Sequence, residues 1–264
     1  MMTYEFDFKL LEGKAALVHG ASSGVGKASA LAHARAGAKV MCVARNEEKL
    51  AAVVSEIEAA GGVAAYTTAE IADEAQIEAM VATTIETFGS IDCVHVTTGF
   101  HSDPYPIQDF PGDILQRSLD LNFIGQAYIV KHVGRQMLRQ DEGGSIVLTA
   151  AGAGIIGWPD SAGYTGGKAA CNVLAQTAAL DFMKAGATSI RVNTICPGGI
   201  RTPMMDHFKE TMPDIAAKAL GGGRMAEPEE QANAAVLLNS PLASCVNGVN
   251  LRTDCGYLAG SWLV

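Results

Sequence analysis

Charge is scarce in this 264-residue chain: charged residues make up 18%, and acidic residues outnumber basic ones 28 to 19. A protein that grips a nucleic-acid backbone releases counterions from a basic surface, so a net charge of −9 excludes that class. Long apolar runs are missing too. No stretch reaches the roughly 18 uninterrupted apolar residues of a membrane-spanning helix, and no membrane partner is expected. The opening segment, MMTYEFDFKLLEGK, is acidic and poor in apolar residues, so it does not read as a secretory leader. No C-x-x-C pair occurs; Cys42, Cys93, Cys171, Cys196, Cys245 and Cys255 lie far apart. That spacing implies reduced thiols in a cytoplasmic protein, each packed as a small hydrophobe, with no disulfide framework and no metal site.

Hydrophobic residues, by contrast, make up 48%, which excludes a disordered chain. A single core of this size buries roughly three quarters of the unfolded chain's surface and needs no staples. Short apolar runs alternate with longer helical patterns. Strands are expected at Ala15–His19, Val40–Ala44, Val63–Thr67, Cys93–Thr97, Ser145–Thr149, Arg191–Ile195 and Val249–Thr253. Helical spacing covers Lys27–Ala36, Glu47–Ala60 (closed by Gly61 and Gly62) and Glu74–Phe88 (ended by Gly89), with further helices before the fifth and sixth strands. Such alternation means βαβ crossovers, and strands that are continuously apolar suit a parallel sheet covered on both faces. No linker or internal repeat divides the chain. One doubly wound α/β domain over 1–264 is expected.

The sharpest local signal is Val18-His19-Gly20-Ala21-Ser22-Ser23-Gly24-Val25-Gly26, between the first strand and the first helix. A pyrophosphate is held by backbone N–H groups at a helix N-terminus, and glycine permits the tight turn and close approach this requires. The Gly-x-x-x-Gly-x-Gly spacing resembles that of the short-chain dehydrogenase/reductase family, and the resemblance runs from about Leu11 to Gly260. It implies a Rossmann-type sheet flanked by helices on both faces. It also implies an NAD(P)-dependent enzyme whose cofactor meets Gly20, Ser22, Ser23, Gly24, Val25 and Gly26.

Charge bears on which nicotinamide cofactor binds. A carboxylate at the end of the second strand would hold the 2′-hydroxyl of NAD and repel a 2′-phosphate. The chain has Ala44-Arg45-Asn46 there, and Arg45 can form a charge-assisted fork with a phosphate. The alternative is a solvated Arg45 with Asn46 capping the next helix. NADP(H) is favoured, with NAD(H) as the alternative. The family's Asp near the adenine is replaced by Glu70-Ile71, and its Asn-Asn-Ala-Gly by Val96-Thr97-Thr98-Gly99, of which Gly99 keeps a close backbone approach.

Tyr164-Thr165-Gly166-Gly167-Lys168 has the family's Tyr-x-x-x-Lys spacing, which sets both side chains on one helical face. A nearby ammonium favours phenolate, so Lys168 is expected to lower the Tyr164 phenol and fit it for proton exchange with a substrate oxygen. By the resemblance, Lys168 also holds the nicotinamide ribose, Asn122 supports the proton relay, and Pro197, Gly198, Ile200 and Thr202 flank the nicotinamide. One family residue is absent. The catalytic serine falls within Thr149-Ala150-Ala151-Gly152, at Ala151. Losing such a donor commonly costs roughly 10²–10³ in rate. Thr149, Ser161, His101, a water or the substrate's own hydrogen bond are the substitutes; no histidine is assigned a catalytic role.

Between 204 and 223 a Met-, Ala- and Gly-rich stretch, with Met204, Met205, Phe208, Met212 and Gly221–Gly223, resembles the family's mobile substrate lid. Trp158 and Pro159 are placed to line the pocket. Few charges occur here, so a small, largely apolar alcohol and its ketone or aldehyde are expected as substrates. Ala151 leaves two alternatives: a non-redox isomerase, cyclase or lyase on the same fold, or a non-catalytic dinucleotide-binding protein. The apolar tail from Ala259 to Val264 suggests a subunit contact, and the family's habit suggests a homotetramer.

Overall fold

The computed structural model describes residues 9–213 and 224–260. Seven parallel strands form one sheet in the order β3-β2-β1-β4-β5-β6-β7. They are β1 Ala15–His19, β2 Lys39–Ala44, β3 Val63–Thr68, β4 Cys93–Val96, β5 Gly144–Thr149, β6 Ile190–Pro197 and β7 Asn250–Thr253. β1, β4 and β6 are buried along their whole length, as their unbroken apolar runs require under helices on both faces.

On one face α3 (Glu74–Phe88), α5 (Gly125–Met137) and α6 (Ala162–Lys184) cover a core containing Leu17, Ile71, Ile129 and Ile146. On the other, α1 (Gly24–Arg35), α2 (Glu47–Ala59) and α8 (Pro228–Asn239) cover Val18, Val40 and Leu50. Successive residues of β1 therefore point to opposite cores. Two shorter helices, α4 (Gly112–Leu119) and α7 (Pro203–Thr211), lie nearer the carboxyl edge of the sheet. Local chemistry sets several helix ends. Asp73 accepts from the amides of Ala75 and Gln76 at the start of α3, and Gly89 ends it in a left-handed conformation, φ 86°.

Several element ends differ from expectation by one to three residues, β6 for example running Ile190–Pro197 rather than Arg191–Ile195. Helix α1 starts at Gly24 rather than Lys27. Glycine is a poor helix former, so apolar spacing does not reveal a helical turn that packing against β1 makes necessary. Around Asn122 the helix opens into a π-turn, Asp120–Ile124, between α4 and α5.

Of the six cysteines, Cys42, Cys93, Cys171 and Cys196 are buried free thiols. Burial pushes Cys42, Cys93 and Cys171 up to about 12, which keeps them unreactive. Cys245 and Cys255 are exposed instead, because they fall in turns after α8 and β7 rather than in core elements. Among the described residues no helix is long and apolar enough to cross a membrane, and no cluster of side chains could hold a metal.

Since β1 and β4 are neighbours, the chain leaves them in opposite directions and opens a crevice at their carboxyl ends. Register places His19 beside Val96, and Val96 beside Leu148, so the loops after β1, β4 and β5 meet there.

Candidate active site

The segments following β1 to β6 line a cavity of about 610 Å³. All the residues expected to bind the cofactor line it, whereas Asn122, expected in the proton relay, does not.

At the β1–α1 turn Gly20 has φ 95°, outside the range of ordinary side chains. A Cβ on Gly26 would run into the Gly20 carbonyl oxygen and stand 2.6 Å from Thr97 Oγ1. This tight approach aims the first turn of α1 at the cavity. Ser23, at the helix start, gives its side chain to none of the first-turn amides, which are left to hold an anion. The cradle fits a dinucleotide pyrophosphate. Gly26→Ala is expected to destabilise the protein by about 2–3 kcal/mol, because backbone cannot yield as a flexible side chain can. Urea unfolding measures this, and an unchanged midpoint would contradict the packing.

At the outer end, Arg45 is 72% exposed and its Nη1 lies 3.4 Å from Glu70 Oε2. Asn46 Oδ1 caps α2, accepting from the Lys49 amide at 2.9 Å. His19, to which the sequence assigns no catalytic role, also lines the cavity. Its Nδ1 lies 2.7 Å from Thr98 Oγ1, and Thr97 Oγ1 donates to its carbonyl at 2.9 Å. Thr97 and Thr98, which replace residues of the family's Asn-Asn-Ala-Gly segment, thus both bond to His19. Burial, aided by Arg45, pushes the His19 imidazole down to about 4. Its Nε2 is buried on the cavity wall with no hydrogen-bond partner among the described residues. An unpartnered polar atom on a residue that lines the cavity is consistent with a bound dinucleotide.

On α6, Lys168 is buried and its Nζ donates to the Thr149 carbonyl at 2.7 Å. The same Nζ lies 5.9 Å from the centroid of the Tyr164 ring. The expected lowering of the phenol is not what the structure gives: burial pushes Tyr164 up to about 12. Desolvation outweighs an ammonium that points at a carbonyl and is itself driven toward neutrality by burial.

Asn122 is buried behind Gly99. It accepts from the Phe100 amide at 2.9 Å and donates to the Phe100 carbonyl at 2.7 Å, clamping the loop after β4. A side chain at position 99 would stand 3.1 Å from Lys168 Nζ and 3.2 Å from Asn122 Oδ1, so glycine admits both groups.

Ala151 lines the cavity just past β5. Among the candidate substitutes for its missing hydroxyl, Thr149 Oγ1 is engaged with His95 Nε2 at 3.0 Å. Ser161 is 1% exposed, and its Oγ lies 3.5 Å from His101 Nε2. The His101 ring reaches the cavity, with its centroid 4.8 Å from that of Tyr164. Trp158 stacks on Phe208 at 5.5 Å, and with Met205 and Met212 they form an apolar wall. Pro159 does not line the cavity, whereas Arg117, which the sequence reading did not single out, does. Gly221–Gly223, expected to act as a hinge, lie outside the described residues.

A glycine cradle and a Tyr–Lys pair opening on one cavity, at the carboxyl edge of a doubly wound sheet, define a dinucleotide-binding oxidoreductase. Comparison with known proteins narrows the class. The family model described as Enoyl-(Acyl carrier protein) reductase matches residues 20–258. The chain is 36% identical over 252 residues to 2,5-dichloro-2,5-cyclohexadiene-1,4-diol dehydrogenase of Sphingobium indicum, covering 94% of this chain and 98% of that one. It is 34% identical over 254 residues to L-rhamnose 1-dehydrogenase (NAD(P)(+)) of a Sphingomonas species, covering 94% and 97%. A short-chain type dehydrogenase/reductase from Mycobacterium ulcerans superimposes with a TM-score of 0.87 at 32% identity, over 96% of this chain and 92% of that one. The chain belongs to the short-chain dehydrogenase/reductase family, whose members use NAD(P)(H).

Proposed function

We propose that this protein is an NADP(H)-dependent oxidoreductase that interconverts a small, largely apolar alcohol and its ketone or aldehyde. The observation that carries this reading is the opening of the glycine cradle, Tyr164 and Lys168 onto one cavity. The bound nicotinamide supplies or accepts hydride. Tyr164 gives a proton to the substrate oxygen in reduction and takes it back in oxidation. Lys168 holds the nicotinamide ribose beside Tyr164, Asn122 fixes the loop after β4, and Pro197, Gly198, Ile200 and Thr202 flank the nicotinamide. The apolar wall of Trp158, Met205 and Phe208 excludes water and suits an apolar skeleton. Relatives named for dehydrogenation of a cyclic diol and of a sugar fit the same chemistry.

For the cofactor, Arg45 supports a 2′-phosphate. Glu70 answers part of its charge at 3.4 Å, yet its exposed guanidinium can turn toward a phosphate at little cost. NADPH is expected to bind about tenfold more tightly than NADH, and Arg45→Ala to remove the difference. Titration following nicotinamide fluorescence decides this, and equal or tighter NADH binding would reverse the preference.

Ala151 favours a second reading, an isomerase, cyclase or lyase that uses the same Tyr164 without net hydride transfer. Turnover with no net consumption of NADP(H) would select it. Under either reading we take 1–264 as one domain, with the wall around Phe208 as part of a lid, in a cytoplasmic homotetramer. The outer face of α6 exposes Val173, Leu180 and Met183, an apolar stripe that supports assembly. Light scattering on the eluted protein is expected to give a multimer; a stable monomer would remove this claim.

A further inference from the structure

Besides His19 Nε2, two ring nitrogens on residues that line the cavity have no part in the proton chemistry assigned to Tyr164. The first belongs to His101. Its Nδ1 lies 2.8 Å from the Ser102 carbonyl oxygen, which can only accept. Nδ1 therefore carries the hydrogen, and Nε2 presents a lone pair. The Ser161 hydroxyl is 3.5 Å from Nε2, at the limit of hydrogen bonding, and so leaves that lone pair largely unspent. The charged and titratable groups around this ring are Asp103, His207 and Tyr164. Asp103 and the Ser102 carbonyl favour protonation, but burial, together with His207, outweighs them and keeps the imidazole an acceptor.

The second is Trp158 Nε1. It is buried without a hydrogen-bond partner among the described residues, and an indole N–H can only donate. Both rings line the cavity and pack on Phe208, His101 edge-on at 5.3 Å and Trp158 stacked at 5.5 Å. An alcohol with a single hydroxyl directs it to Tyr164 and leaves Trp158 Nε1 without a partner and His101 Nε2 with only the long Ser161 contact. A buried polar group without a partner carries a desolvation penalty.

We infer that His101 and Trp158 form a subsite for a second oxygen on the substrate, so that the preferred substrates are diols and hydroxyketones on an otherwise apolar skeleton. This deepens the proposed function and rests on its placing the reacting oxygen at Tyr164. A substrate hydroxyl donates to His101 Nε2, while Trp158 Nε1 donates to a substrate oxygen. The subsite also gives the site a polar contact where Ala151 offers none. His101 and Trp158 act here as specificity-determining residues and exchange no proton with the reacting carbon's oxygen.

The test compares cyclohexanol with the 1,2-, 1,3- and 1,4-cyclohexanediols as ligands of the NADPH-loaded protein, by titration calorimetry. Alcohol with reduced cofactor cannot turn over, so binding is read alone. At least one diol is expected to bind roughly 10- to 100-fold more tightly than cyclohexanol. His101→Phe keeps an aromatic ring against Phe208 but removes the lone pair, and should bring that ratio to within about twofold. His101→Gln, which retains an acceptor, should recover part of it, and circular dichroism checks that both variants fold. A wild-type protein with no diol preference, or a preference unchanged in folded His101→Phe, would overturn the subsite. Oxidation of the same alcohols with NADP+ and NAD+ is followed in parallel. Failure to turn over any of them, with a His101-dependent diol preference intact, would overturn the redox reading and leave the subsite standing.

Discussion

Tyr164→Phe is expected to lower kcat by about 10³-fold while cofactor affinity stays within about twofold of wild type. General acid–base groups typically contribute 10²–10⁴-fold, and position 151, where the resemblance implies a serine, carries alanine. The substitution removes one hydroxyl and keeps the ring, so the packing with His101 survives. Because burial pushes the phenol up to about 12, the group is protonated at neutral pH and ready to donate. Carbonyl reduction should therefore proceed readily at neutral pH, whereas alcohol oxidation, which needs the phenolate, should accelerate as pH rises. Initial rates in both directions across pH 6–10 measure this. A Phe variant retaining a tenth of wild-type kcat would remove Tyr164 from the acid–base role.

The second large effect is on stability in mild acid. His19 and His33 are buried, and desolvation pushes each down to about 4; His95, equally buried, is held well below its usual value. In the unfolded chain all three titrate near 6.5. Between pH 6.5 and 4 the unfolded state therefore binds more protons than the folded one, and stability falls as pH falls through that window. His19 and His33 should each account for the loss of about 3 kcal/mol by pH 4, and above pH 7 neither has an effect. Losses of that size rival the whole stability of a typical domain, so unfolding is expected before pH 4 is reached. Urea midpoints at pH 7, 6 and 5, at one protein concentration and without cofactor, measure the slope. A flat profile would mean that the histidines are not buried as described.

Two of these histidines, His33 and His95, sit in a hydrogen-bonded chain that no local pattern announces. Asn239 Nδ2 donates to His33 Nε2 at 2.9 Å, and His33 Nδ1 returns to the Ser29 carbonyl at 2.8 Å. Ser29 Oγ lies 2.7 Å from His95 Nδ1, whose ring continues to Thr149, the residue whose carbonyl receives Lys168. A histidine in an apolar run reads simply as polar. That Asn239 and Ser29 supply partners to His33, and Ser29 and Thr149 to His95, depends on α1, β4, β5 and α8 meeting in space. Tyr164 illustrates the same limit in electrostatics. The four-residue spacing correctly sets it on one face with Lys168, but the direction of its pKa depends on burial and on the Thr149 carbonyl, which belongs to another element.

The strand pattern, the βαβ order and the loops that converge on the cavity were legible in the chain itself. Continuous apolar runs, glycine spacing and the i, i+4 pair are local consequences of backbone geometry, and they need no knowledge of neighbours. Tertiary structure decided the rest. It paired His19 with Thr98, opened the helix at Asn122, set Glu70 beside Arg45, raised rather than lowered Tyr164, and brought His101 and Trp158 to the same phenylalanine. Each of these depends on desolvation and on partners distant in sequence, quantities that exist only once the chain has packed.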